Sequence, residues 1–202
     1  MRLRLAQPAA AALLIFAAPF TAAAAPSFDC AKADGAAEEL VCADADLAAL
    51  DVALAARFSA AMAAARSGAD ADAAAARLRA EQRGWIKGRD ACWKAADLRD
   101  CVEDAYTRRD AILAASWMLG DVGPPVFYQC GGNPADEIAV FFLDAPRRAL
   151  RLERGDRIEA MAQTRSASGA RYDGDFGAMF WEKGGEARLM LPPEPETVCR
   201  RR

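Results

Sequence analysis

The C-terminal part of the chain contains two short segments that indicate its fold, Ser168-Gly169-Ala170-Arg171-Tyr172 and Trp181-Glu182-Lys183-Gly184. An acidic stretch that also contains glycine, Asp173 to Gly177, lies between them. A Ser-Gly start and a Lys-Gly turn after an aromatic run are typical of strands joined to tight turns. The pattern therefore predicts two strands that present a hydroxyl and an ammonium group on neighbouring loops. The spacing alone does not identify what these groups bind.

The rest of this half shows the two-residue period of strands. Its alternating apolar residues are Ile138, Val140, Phe142, Leu150 and Leu152. Further strands are predicted near residues 158–163, 179–181 and 187–191. Six to eight short antiparallel strands within residues 126–202 predict a small barrel or sandwich. Cys130 and Cys199 are expected to form a disulfide that ties the first strand to the end of the sheet.

The N-terminal half has helical periodicity instead. Apolar residues recur at intervals of three and four at Leu47, Leu50, Leu54, Phe58 and Met62. Asp44 or Asp46 is expected to cap this helix, Asp70 a second one, and a third begins near Asp97. The fold class predicted is therefore α+β in two domains. A small helical domain, residues 26–119, precedes a linker, 120–125, and the β domain, 126–202.

The first 25 residues are predicted to be a cleaved secretory signal peptide. Arg2 and Arg4 precede an apolar run, and small residues from Ala22 to Ala25 offer a cleavage site. A lipid anchor is not expected, because the first cysteine, Cys30, does not follow a Leu-Ala-Gly-like box. The sequence therefore predicts a periplasmic location without a membrane anchor.

All six cysteines follow the predicted cleavage point, and disulfides are expected in an exported chain. An antiparallel hairpin of the first two helices is compatible with a Cys42–Cys92 bridge and a Cys30–Cys101 bridge. This is one of the three pairings that four cysteines allow. The sequence favours no pairing strongly, so the three remain open.

Composition argues against several classes of function. The chain has no histidine and no Cys-x-x-Cys pair, which disfavours a metal site, and no cofactor is expected. The absence of histidine also disfavours an enzyme, since the usual acid/base group at neutral pH is missing. Without Arg2 and Arg4, 24 basic residues oppose 29 acidic ones. A net charge of about minus five argues against nucleic acid as a partner.

Both halves resemble known families. The C-terminal half carries Phe127-Tyr128-Gln129-Cys130, the two segments quoted first and the closing Cys199. In this order they resemble the membrane-bound and periplasmic inhibitors of C-type lysozyme. The N-terminal half carries Gln82-Arg83-Gly84-Trp85-Ile86 and Arg89-Asp90-Ala91-Cys92, and resembles the N-terminal domain of LprI-type lysozyme inhibitors.

The first resemblance implies a small antiparallel β-barrel that inserts a loop into the lysozyme cleft. By position, Ser168 and Lys183 would meet the two catalytic carboxyl groups. Without the resemblance, Ser168 is an ordinary turn hydroxyl and Lys183 a solvated hairpin residue. Gly169, Arg171, Tyr172 and Trp181 complete the predicted lysozyme-binding set. Of these, Tyr172 and Trp181 are interpreted as supports of the barrel, and Arg171 as a rim contact or a solubilising charge.

The sequence therefore predicts a non-enzymatic, exported inhibitor of C-type lysozyme that occludes the active-site cleft and protects peptidoglycan. The alternative is a periplasmic envelope scaffold, or a protein that binds peptidoglycan fragments and does not inhibit lysozyme. The sequence does not indicate an oligomeric state.

Overall fold

The computed structural model describes residues 25–132 and 136–202, so the predicted signal peptide lies almost wholly outside the described residues. The N-terminal region is helical. Its helices are α1 (Ala36–Ala43), α2 (Ala45–Ser67), α3 (Ala71–Asp90) and α4 (Leu98–Trp117), with short 3-10 turns at Cys30–Lys32 and Ala91–Lys94. The three predicted helices are therefore present, and α1 is an additional short helix.

Aspartate side chains start two of these helices. Asp44 accepts hydrogen bonds from the backbone N–H groups of Asp46 and Leu47, at 2.9 and 3.1 Å. Asp97 accepts one from the N–H of Asp100 at 2.9 Å. These bonds satisfy amide donors that have no partner inside the helix. Asp70 precedes α3 as predicted, but its side chain makes no capping bond.

The core of the helical region combines a few large side chains with many alanines. The fully buried large residues include Leu47, Leu78, Tyr106 and Leu113, and they contact Leu54 and Met62 of α2. By length and composition α2 is apolar enough to cross a membrane. Its larger apolar side chains, however, face α1, α3 and α4, as expected for the central helix of a bundle.

The disulfides of the helical region differ from the hairpin-based pairing. Cys30 bonds Cys42, and Cys92 bonds Cys101, so the Cys42–Cys92 and Cys30–Cys101 bridges are wrong. The reason is local. Because α1 ends separately before α2, the turn that contains Cys30 folds back onto its last residues. Cys92 follows α3 directly, within reach of the first turn of α4.

The C-terminal region is a closed antiparallel barrel of eight strands in sequence order. The strands are β1 (Val126–Cys130), β2 (Glu137–Leu143), β3 (Ala149–Arg154), β4 (Arg157–Thr164), β5 (Ala170–Asp173), β6 (Met179–Lys183), β7 (Glu186–Met190) and β8 (Thr197–Arg201). Strands β1 and β8 close the ring, and Cys130 lies opposite Cys199 in their register. These two cysteines form the predicted disulfide.

The barrel interior follows from strand alternation. Tyr128, Ile138, Leu150 and Phe180 are fully buried, and the rings of Tyr128 and Phe180 meet edge to face at 5.3 Å. Inward-facing apolar side chains thus fill a barrel of this size, as expected for eight strands. The predicted β architecture is confirmed, and the choice between barrel and sandwich is decided by the pairing of β1 with β8.

Helix α4 packs across the outside of β3 and β4. Its small residues Ala111, Ala114 and Ala115 share a buried cluster with Leu143, Ala149 and Ala162 of the barrel. Small side chains let the helix lie close to the sheet. The connection between the two regions is also fixed to the barrel, because the Gly123 N–H donates to the Phe142 carbonyl at 3.0 Å.

Candidate functional site

The β4–β5 loop, which carries Ser168, and the end of β6, where Lys183 lies, are at the same end of the barrel. Consecutive hairpin connections of an antiparallel meander alternate between its two ends, and the β4–β5 and β6–β7 loops are two connections apart. We call this end the basic end, for the charges described below. The β5–β6 loop, which includes Asp175, lies at the opposite end. The acidic stretch between the two sequence segments therefore does not flank Ser168.

Two contacts join the Ser168 loop to β6. The Trp181 indole Nε1 donates a hydrogen bond to the Ser168 carbonyl at 2.8 Å. Gly169 has φ +70°, and a Cβ built on it would lie 2.2 Å from the carbonyl oxygen of Glu182. A side chain at position 169 would collide with backbone that cannot move aside easily. Gly169 is therefore needed for the Ser168 loop to pack against β6.

The functional groups of Ser168 and Lys183 are exposed. They border a groove of about 350 Å³ that Trp181, Arg188 and Val198 also line. Neither the Ser168 hydroxyl nor the Lys183 ammonium group has a hydrogen bond or ion pair within residues 25–132 and 136–202. Both groups are thus available to a partner. The backbone of the Ser168 loop is fixed by its contacts with β6. The Ser166 hydroxyl strengthens this arrangement by donating to the Gly169 carbonyl at 3.0 Å.

The other predicted residues have mostly supporting positions. Tyr172 is buried inside the barrel with its ring 5.8 Å from that of Phe142, and burial raises the pKa of its hydroxyl. Arg171 is half-buried and makes an ion pair with Asp173 at 3.0 Å. Trp181 is half-buried and bonded to the Ser168 loop. The structure thus brings Ser168, Gly169, Trp181 and Lys183 together and leaves Tyr172 beneath the surface.

The basic end carries cations that the sequence analysis did not assign to the site. Arg148 and Arg165 are exposed, and in the described part of the chain neither makes an ion pair. With Lys183 they give this end a positive surface, although the whole chain has a net charge of −3. Arg165 stands directly before the Ser166 turn, a position that could have marked it.

A second polar arrangement lies inside the helical region. The Tyr106 hydroxyl donates to Asp51 at 2.9 Å and accepts from Arg89 at 2.8 Å. Arg89 also contacts Glu38 at 3.1 Å, and the Ser27 N–H donates to Asp51. Burial raises the pKa of Tyr106, although the adjacent Arg89 charge opposes this. These five residues form a continuous polar network, most of it buried.

The sequence missed this network. Acids near a helix start are common, but Asp51 is 7% exposed and lies in the second turn of α2. The available signal was its position on the apolar face of the helix, between Leu47 and Leu54. A buried carboxylate requires hydrogen-bond donors, and Tyr106 and the Ser27 N–H supply them.

Comparison with known proteins identifies similar sequences for both regions. The family model described as membrane-bound lysozyme-inhibitor of c-type lysozyme matches residues 128–194. The family model described as lysozyme inhibitor LprI matches residues 30–97. Lipoprotein LprI of Mycobacterium bovis and that of Mycobacterium tuberculosis are each 35% identical over 167 residues, covering 82% of this chain and 80% of the relative. Both predicted resemblances are confirmed.

Proposed function

The chain belongs to the family of lipoprotein LprI, and on that premise we propose that it is an exported inhibitor of C-type lysozyme. The basic end of the barrel is the inhibitory surface. The observation that carries this proposal is the pairing of an exposed hydroxyl and an exposed ammonium group. The hydroxyl lies on a loop that packs against β6, and the ammonium group belongs to the last residue of β6. The positive charges around them complement an active-site cleft that contains carboxylates.

The chemistry of the target explains why these two groups inhibit it. A lysozyme uses two carboxyl groups on either side of the scissile bond, one of which is ionised. The Lys183 ammonium group has three donors and can bond carboxylate oxygens from inside the cleft. The Ser168 hydroxyl donates and accepts, so it can serve the protonated carboxyl group. Inhibition then results from occupation of the cleft, and no bond is made or broken.

The rigidity of the loops adds to affinity. Contact with Gly169 and the Trp181 hydrogen bond hold the Ser168 backbone against β6 before any partner arrives. Less conformational entropy is therefore lost when the loop enters a cleft. Arg148 and Arg165 would increase the rate of association with an acidic cleft, an effect that salt screens.

The location is part of the proposal. The N-terminal segment would direct export of the chain, which would then act in the periplasm. Cys30 is bonded to Cys42, so its sulfur is not free to carry a lipid. This differs from what the name of the mycobacterial relatives says of those proteins.

The test is a titration of the exported chain against a C-type lysozyme that clears a cell-wall suspension. Lys183→Ala should weaken inhibition by about 2 to 5 kcal/mol, at least about thirtyfold, because a desolvated carboxylate loses its partner. Lys87→Ala is the matched control, since Lys87 is an exposed lysine of α3 without an ion pair in the described residues.

Ser168→Ala should have a smaller effect than Lys183→Ala, because a neutral hydrogen bond is weaker than a charge-assisted one. Equal inhibition by wild type and Lys183→Ala would move the activity away from the basic end. Absence of inhibition by the wild-type chain would reject the proposed function.

A further inference from the structure

A second cavity lies where the helical region meets the barrel. Its volume is about 660 Å³, within the range of sites for small ligands. One wall is formed by α3 and α4, the other by the middle of β4 and the β5–β6 loop. We call it the junction groove. It plays no part in the function proposed above.

One buried charge in the junction groove lacks a full set of partners. Arg109 is 9% exposed, and its Nε donates to the Gln82 side chain at 3.0 Å. Its Nη2 is buried without a hydrogen-bond partner within the described residues, and the nearest carboxylate oxygen, on Glu81, is 3.9 Å away. Burial lowers the pKa of Arg109, which means that the site disfavours the charge it holds. An unpaired guanidinium donor in such a place is unfavourable until an anion reaches it.

The other arginines of the groove are already engaged. Arg89 contacts Glu38 and Asp90. Arg108 donates to the carbonyls of Asp173 and Gly174, both at 3.2 Å. Arg109 is therefore the guanidinium of this groove with an unused donor.

Four carboxylates line the groove, and three of them have cationic partners other than Arg109. The fourth, Glu81, lies 3.9 Å from Arg109 Nη2. Asp104 pairs with Arg147, and Glu159 pairs with Arg157 at 2.9 Å. Asp175 lies 3.6 Å from Arg108. The buried group of the groove without a hydrogen bond is thus a donor with positive charge, which indicates an anionic ligand.

Aromatic and apolar groups surround this donor. Trp85 and Ile112 line the helical wall, and Phe176 stands at the tip of the β5–β6 loop. Phe176 is 99% exposed and has φ +53°, a conformation that residues with a side chain rarely adopt. Strain of this kind persists where the surroundings impose it, and it is concentrated at ligand-binding positions. An exposed aromatic side chain at this position can close over an apolar ligand.

We propose that the junction groove binds the free C-terminal carboxylate of a short peptide with small apolar side chains. The carboxylate accepts a charge-assisted bond from Arg109 Nη2, and the apolar side chains lie between Trp85 and Phe176. Such peptides occur both as ordinary protein fragments and as cell-wall peptides that end in D-amino acids. The shared chemistry is a terminal carboxylate next to small side chains.

Calorimetric titration of the whole exported chain tests the proposal with four probes. These are acetyl-L-Ala-L-Ala and acetyl-D-Ala-D-Ala as free acids, and the C-terminal amide of each. At least one free acid should bind, and its amide should bind at least about tenfold more weakly, because the charge-assisted bond is lost. The tighter free acid identifies the source of the peptide. Failure of both free acids to bind, or equal binding of acid and amide, would overturn the proposal.

Two variants locate the site. Arg109→Gln should weaken binding of the free acid at least about tenfold, and Arg165→Gln, which removes an equal charge at the basic end, should not change it. Phe176→Asn suits the same backbone conformation and cannot disturb a core, since position 176 is exposed. It should weaken binding about three- to tenfold. Unchanged binding in Phe176→Asn and Arg109→Gln would place the peptide elsewhere. Lysozyme inhibition should be unchanged in Arg109→Gln and Phe176→Asn, so failure here is distinct from failure of the proposed function.

Discussion

The helical region and the barrel are stabilised in different ways. Disulfides in the helical region close short loops, with sequence separations of 12 and 9 residues. Its centre includes a polar network around Tyr106. The barrel has one disulfide across a separation of 69 residues and a core that includes Tyr128 and Phe180. One region is stabilised by local links and buried polar bonds, the other by closure of a sheet.

The difference explains where each proposed site lies. A closed barrel leaves no free sheet edge, so the loops at its ends are fixed on both sides, which suits a rigid inhibitory surface. The helical region meets the barrel through alanines of α4. Packing of small side chains there leaves a groove beside the contact, and Arg109 remains partly unpaired in it.

The largest predicted effect compares the disulfides. Replacing Cys130 and Cys199 by serine should lower the free energy of unfolding by about 4 kcal/mol, against about 3 kcal/mol for Cys92 and Cys101, because the longer loop gains more entropy in the unfolded chain. Urea unfolding followed by far-UV circular dichroism measures both. A larger loss of unfolding free energy on replacing Cys92 and Cys101 would contradict the expectation that the long-range disulfide of the barrel contributes more than a local one.

A second prediction concerns two glycines at the basic end. Gly169→Ala should lower the free energy of unfolding by about 2 to 4 kcal/mol, from strain at positive φ together with collision with the Glu182 carbonyl. Gly184→Ala meets nothing within 4 Å and has φ +62°. It should cost about 1 to 2 kcal/mol, from backbone strain alone.

The same two glycine variants also test the role of the basic end in lysozyme inhibition. Gly169→Ala should also weaken lysozyme inhibition more than Gly184→Ala does, since it separates the Ser168 loop from β6. Urea titration and cell-wall clearing assays measure the two effects. Equal losses of stability and of inhibition in the two variants would show that Gly169 is not needed for the close packing of the Ser168 loop.

The smallest predicted effect compares two buried tyrosines. Tyr106→Phe should cost about 1 to 3 kcal/mol, because Asp51 and Arg89 each lose a buried hydrogen bond. The Tyr128 hydroxyl lies near Glu182 without reaching hydrogen-bonding geometry in the described residues, and burial and that carboxylate raise its pKa to about 12. Tyr128→Phe should therefore be neutral or stabilising. Thermal unfolding of the two variants decides this, and a large loss in Tyr128→Phe would contradict it.

Much of the fold could be read from periodicity. The spacing of Leu47, Leu54 and Met62 correctly predicts α2, and alternation near Ile138 and Leu150 correctly predicts strands. The pairing of cysteines could not be read in this way. The short helix α1, which brings Cys42 near Cys30, has too few residues to show a clear period.

The candidate site, like the fold, can be predicted only in part from the sequence. Ser168 and Lys183 were found through their sequence segments, but no local pattern shows that the Gly169 backbone rests on Glu182. Arg165 and Arg148 join the site because the barrel brings the ends of β4 and β3 together. Their charges become part of one surface only when β3 and β4 pair.

The sequence by itself determined the order of helices and strands, the Cys130–Cys199 link and the segments that resemble lysozyme inhibitors. These are properties of neighbouring residues or of recognisable segments, so the linear chain contains them. Only the tertiary structure decided the other two disulfides, the network around Tyr106 and the unused donor of Arg109. Each of these depends on which distant groups surround a side chain after folding, and burial, hydrogen bonding and charge pairing are set by those surroundings.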